Sequence, residues 1–75
     1  MGQQAHFNRQ SALDAGLDVR VADGGIYLIR IPETDIFMQD YGADSPSVCV
    51  DCKGSHIYWP LTNWLIDNDI GFVVS

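Results

Sequence analysis

Residues 47–59 read SVCVDCKGSHIYW, and the fold of the whole chain turns on how this stretch is taken. Val48, Val50 and Cys52 alternate with Cys49 and Asp51, the two-residue period of a strand that buries one face. Lys53 and Gly54 then offer a tight turn, after which Ile57 and Trp59 resume the alternation. The reading is a β-hairpin. It pairs Cys52 with Ser55, Asp51 with His56, Val50 with Ile57, Cys49 with Tyr58 and Val48 with Trp59, and it sends the two thiols to opposite faces.

That expectation bears directly on chemistry. Cys-x-x-Cys followed by glycine is the spacing of a zinc knuckle, and His56 would be a third ligand beside Cys49 and Cys52. A structural zinc ion needs a fourth, and only His6 is left to supply an imidazole. A zinc-stabilised module is therefore the alternative reading, because thiols on opposite faces cannot share an ion. A redox role would require a helix N-terminus to activate the first thiol, and the expected turn provides none. A nucleophile built from Cys49, His56 and Asp51 would place the thiol only diagonally across from the imidazole, with no oxyanion hole in view.

Working outward, a first hairpin is expected in LDVRVADGGIYLIRI, residues 17–31. A loop at Asp23, Gly24 and Gly25 pairs Val21 with Tyr27, Val19 with Ile29 and Leu17 with Ile31. Asp18 then meets Arg30 on the other face, which also carries Ile26 and Leu28. This second face is either covered by a helix or exposed as a contact surface. NRQSALDAG, residues 8–16, reads as a short helix capped by Asn8 or Ser11 and ended by Gly16.

IPETDIFMQDYG, residues 31–42, and PLTNWLIDNDIG, residues 60–71, read as two further helices. The two segments superimpose: Pro32 on Pro60, Thr34 on Thr62, Asp35 on Asn63, then three apolar residues in each. Either they are an internal repeat, or both follow the usual recipe for leaving a strand and starting a helix. FVVS closes the chain as a strand. The expected fold is thus α+β, a single domain over residues 1–75. A short N-terminal helix precedes one antiparallel sheet of about four or five strands, built from two hairpins each followed by a helix (ββα-ββα-β).

Other motifs carry little. DGG lacks the following lysine and hydroxyl of a phosphate loop, and DNDIG lacks the spacing of a calcium loop and reads as the end of a helix. The start MGQQAH lacks the hydroxyl residue of a myristoylation signal, since His6 stands in its place. No secretory leader pattern or membrane-length apolar run is present, so a cytoplasmic protein with reduced thiols is expected.

The chain has 75 residues, 47% of them hydrophobic and 19% charged, a composition that folds. A domain this short buries only about 60% of its unfolded surface, which leaves little room for an enclosed active site. Ten acidic residues oppose four basic ones, for a net charge of -6. Carboxylates repel phosphates, so direct nucleic-acid binding is disfavoured and a protein partner with a basic surface is expected. In size and charge alone the chain is similar to small phage-encoded inhibitors, anti-CRISPR proteins among them. What that similarity implies is a non-catalytic protein without a cofactor that blocks a basic surface on a nucleic-acid-handling complex. The expected contact residues are Asp18, Ile26, Leu28, Glu33, Asp35, Asp40, Tyr41 and Asp44, with Tyr27, Phe37 and Tyr58 as further aromatic anchors. A monomer or homodimer is expected, and a homo-oligomeric accessory protein is a second alternative.

Overall fold

The structure, a computed structural model, describes residues 3–42 and 44–75. Met1 and Gly2, weighed above as a lipidation signal, and Ala43 lie outside the described residues. Along the chain run β1 (Gln4–Asn8), α1 (Arg9–Asp14), β2 (Asp18–Val21), β3 (Tyr27–Arg30), β4 (Phe37–Gln39), β5 (Ser47–Asp51), α2 (Ser55–Asp67) and β6 (Phe72–Val74). The strands form two three-stranded antiparallel sheets, ordered β2-β3-β4 and β5-β1-β6. A bridge between Asp40 and Val50 joins them edge to edge. The architecture is α+β, with both helices adding Ala12, Leu61 and Leu65 to the core that the sheets' inner faces share.

The first hairpin has the expected register, with Asp18 opposite Arg30, Val19 opposite Ile29 and Val21 opposite Tyr27. Gly24 and Gly25 both take positive φ in the turn, and Ala22 N–H donates to the Ile26 carbonyl at 2.7 Å to close it. The first helix also lies where expected: the Asn8 side chain accepts from Ser11 N–H at 2.8 Å, and Gly16 turns with φ of 103° beyond its end. The strand β1 that precedes it was not anticipated, nor was its central place between β5 and β6.

Two expected elements are different structures. Residues 31–42 form no helix; they turn back and run as β4 against β3, with Leu28 opposite Gln39 and Ile29 opposite Met38. The reason lies in Thr34. Its hydroxyl donates to the Ile31 carbonyl at 2.7 Å and accepts Ile36 N–H at 3.1 Å, so it closes a turn instead of capping a helix. Glu33 takes φ of 66° there, which no helix interior permits. Met38 and Asp40 are buried while Phe37, Gln39 and Tyr41 are exposed, a period of two.

The second hairpin is likewise absent. β5 is a strand, but Gly54, with φ of 92°, breaks its direction, and its carbonyl accepts from Ile57 and Tyr58 N–H to begin α2. Cys52 therefore does not face Ser55, nor Asp51 His56, and Trp59 leaves the expected apolar face for the exposed side of a helix. The helix starts before Pro60, which sits inside it. Ile57, Leu61 and Leu65 follow helical spacing, and burying that stripe outweighs the one backbone bond that Pro60 cannot donate. The aligned segments at Pro32 and Pro60 thus adopt unrelated structures and are not a structural repeat. The end of α2 is as expected: Asp69 takes φ of 57°, and Ile70 N–H reaches back to the Leu65 carbonyl at 2.9 Å.

One ion pair ties these pieces together. Asp40, expected on the contact surface, is 3% exposed, and its Oδ2 accepts from Arg9 Nη1. Its Oδ1 accepts from Gly42 N–H at 2.8 Å and Cys49 N–H at 3.2 Å. Arg9 also donates Nε to the Ser45 carbonyl at 2.8 Å and Nη2 to the Gly42 and Ser47 carbonyls. The start of α1, the end of β4 and the loop into β5 therefore share one charge pair. Replacing Asp40 by alanine strands a largely buried guanidinium and is expected to cost about 3–5 kcal/mol, read as a lower urea midpoint. Asp18→Ala, which removes the half-exposed pair with Arg30 at 2.9 Å, is expected to cost about 1 kcal/mol or less. Equal losses in the two variants would refute this ranking.

Candidate functional site

Because both helices pack on the inner side, the outer face of β2-β3-β4 has no helix over it. The alternation that buries Ile29 and Met38 turns Leu28, Phe37 and Gln39 outward. Arg20 lies over the Phe37 ring, 5.6 Å from its centroid, and so crosses β3 above Leu28. Ile26, Phe37 and Tyr41 are 42%, 48% and 59% exposed. This is a mixed apolar and aromatic surface on a three-stranded sheet.

Most of the expected contact residues fall on this face or at its margins. Asp18, Ile26 and Leu28 belong to its first hairpin, and Tyr41 follows β4 at its far edge. Glu33 and Asp35 stand exposed in the turn between β3 and β4, and Asp44 in the loop before β5, where it accepts a long bond from the Tyr27 hydroxyl at 3.4 Å. Asp40 alone is withdrawn into the interior. Asp18 is held by Arg30, whose guanidinium also reaches the Thr34 carbonyl at 3.0 Å. Among the described residues only these two of the ten carboxylates are in ion pairs, so the others leave the surface strongly acidic.

Sequence reading missed a second feature. Tyr58 and Trp59 meet edge to face with ring centroids 4.8 Å apart, and with Gln3, Ser55 and Val74 they line an open groove of about 450 Å³ between α2 and β6. Trp59 is 57% exposed and Ile66 60%. Their spacing of two helical turns along α2 was the available signal, masked by the strand reading of residues 55–59.

The thiols stay apart for a reason that survives the loss of the hairpin. Alternation along β5 turns Cys49 toward the outer face, opposite His6, and continues inward to Cys52, which is fully buried. Cys49, Cys52 and His56 are not brought together, and no group of three metal-ligating side chains exists among the described residues. Burial raises the Cys49 thiol above its ordinary value of 9.0, and the Asp40 carboxylate adds to this. Burial likewise raises Cys52, with Asp51 adding a smaller push and a backbone hydrogen bond opposing it.

Both thiols are therefore held protonated in the fold. Their contribution to stability is complete below the ordinary thiol value of 9.0 and is lost as pH climbs above it through the raised folded-state value. Iodoacetamide should modify Cys49 with a midpoint above pH 9.0 and Cys52 only on unfolding, followed by mass spectrometry. A Cys49 midpoint below that value would contradict the assignment. In comparisons with known proteins, no family model, curated protein or solved structure matches this chain.

Proposed function

We propose that this chain is a non-catalytic binding protein that docks the outer face of β2-β3-β4 onto a basic surface of a protein partner. The observation that carries the reading is the combination of an uncovered face bearing Ile26, Leu28, Phe37 and Tyr41 with carboxylates at Glu33, Asp35 and Asp44 around it that are in no ion pair among the described residues. The aromatic side chains act as anchors and the carboxylates steer the approach. Thiols held protonated and a groove open to solvent support a binding role over catalysis.

The form of partner that fits is a nucleic-acid-handling complex whose Lys/Arg-lined surface is blocked, as a small phage-type inhibitor of the anti-CRISPR kind would block it. The mechanism is steric occlusion aided by charge, working from the cytoplasm and without a cofactor. Full mimicry of DNA fits less well, because Arg20 lies within the face and the carboxylates lie at its margins.

The test is capture of the partner from the native host, with the recovered complex assayed for loss of nucleic-acid binding. Affinity is expected to fall steadily as salt rises, and Phe37→Ser with Tyr41→Ser is expected to weaken it at least about a hundredfold, the loss of two anchors. Salt-independent binding, or a double variant that binds like the parent, would overturn the proposal.

A further inference from the structure

The two outermost strands of the sheets are protected very differently. β2 carries Asp18 and Arg20, charged residues that discourage another strand from adding. β6 is Phe-Val-Val, with no charge, proline or bulge, and Val73 is 65% exposed. The ladder to β1 shows which of its backbone groups are free. Gln4 and Ser75 exchange both hydrogen bonds, at 2.9 and 3.0 Å, and bonded pairs alternate along an antiparallel ladder. His6 and Val73 are therefore the next bonded pair, and the N–H and C=O of Phe72 and Val74 point away from β1. Those groups have no other partner among the described residues.

We infer that the free edge of β6 and the groove beside α2 form a docking site for an extended peptide segment, apolar at one end and basic at the other, contributed by a partner protein. The segment adds as an antiparallel strand. Its backbone bonds Phe72 and Val74, and the side chain opposite Val74 enters the groove between Tyr58 and Trp59. An antiparallel strand runs from Val74 toward Phe72, and so toward Asp67 and Asp69 at the junction of α2 and β6. Neither carboxylate is in an ion pair among the described residues, and the C-terminal end of α2 adds negative potential there. A lysine or arginine fits that end. The resulting pattern is apolar, any, apolar, any, basic, because side chains on the groove side recur at every second position. A second copy of this chain fits poorly: an added β6 carries no basic residue to meet Asp67 and Asp69, and each copy brings a net charge of -6.

This site is separate from the face proposed above, and its variants are separate too. The test titrates the isotope-labelled chain with the capped peptide TLTVTKR and follows backbone amide shifts. Saturable shifts are expected at residues 72–75 and at the Trp59 indole. They should vanish when the peptide is N-methylated at the positions facing β6. Trp59→Ser and Val74→Pro should each weaken binding about tenfold, while their thermal midpoints stay near the parent's. Val74→Pro removes an outward N–H without touching the bonds to β1, and Trp59 is exposed, so neither variant is expected to unfold. Asp67→Asn with Asp69→Asn should weaken binding and flatten its salt dependence. Absence of saturable shifts, indifference to N-methylation, or sedimentation of the free chain as a dimer that excludes the peptide would overturn the inference.

Discussion

The Arg9 to Asp40 pair is the constraint on which the arrangement of this small protein rests. The two three-stranded sheets share a core, and the backbone joins them edge to edge at the bridge between Asp40 and Val50, a junction with little hydrogen bonding of its own. A charge pair at that point does what a longer ladder would otherwise do. Asp40 holds the N–H groups of Gly42 and Cys49, and Arg9 holds the carbonyls of Gly42, Ser45 and Ser47. Charges this deep are costly to desolvate, and they persist because their hydrogen-bonding capacity is filled by partners from three parts of the chain. Among the described residues no buried side-chain nitrogen or oxygen is left without a hydrogen bond.

The same constraint shapes the surface. By taking Asp40 inward it removes one carboxylate from the contact face, and by using Arg9 it removes one of only four basic residues from solvent. Arg30 is occupied by Asp18, and Arg20 lies over Phe37. Each pair removes one charge of either sign, so the net charge of -6 stays outside with fewer cations beside the remaining carboxylates. It sits around a sheet whose helices are all on one side, which leaves the other side open for recognition. On the helix side, β6 has no strand beyond it among the described residues, and Trp59 stands exposed beside it.

How much of this was legible in the sequence can be judged from single residues. The register of the first hairpin could be read because it satisfies two conditions at once: Val19 and Ile29 share the buried face, and Asp18 meets Arg30 on the other. The cap at Asn8 and the stop at Asp69 were legible because both are local hydrogen-bonding devices. Of the candidate contact face, Asp18, Ile26 and Leu28 were legible from alternation, whereas Tyr41 was placed in a helix that does not form and the burial of Asp40 depends on Arg9, remote in sequence. Thr34 and Thr62 show the limit of local reading, since equivalent surroundings close a turn in one case and lie within a helix in the other. Thr62 is buried in α2 with its hydroxyl on the Tyr58 carbonyl at 2.9 Å, a choice made by the packing of Leu61 and Leu65.

By itself the sequence determined the α+β class, the first hairpin, the Asn8 cap and Gly16 stop of the first helix, the divergence of the two thiols, and the acidic surface. All of these follow from period, capping or charge, which act over a few residues or none. Only the tertiary structure decided that residues 37–39 are a strand, that residues 55–59 are a helix, and that β1 lies between β5 and β6. In those places the local signals were balanced between strand and helix. The deciding free energy came from burying side chains against elements distant in the chain, a quantity that no window of sequence contains.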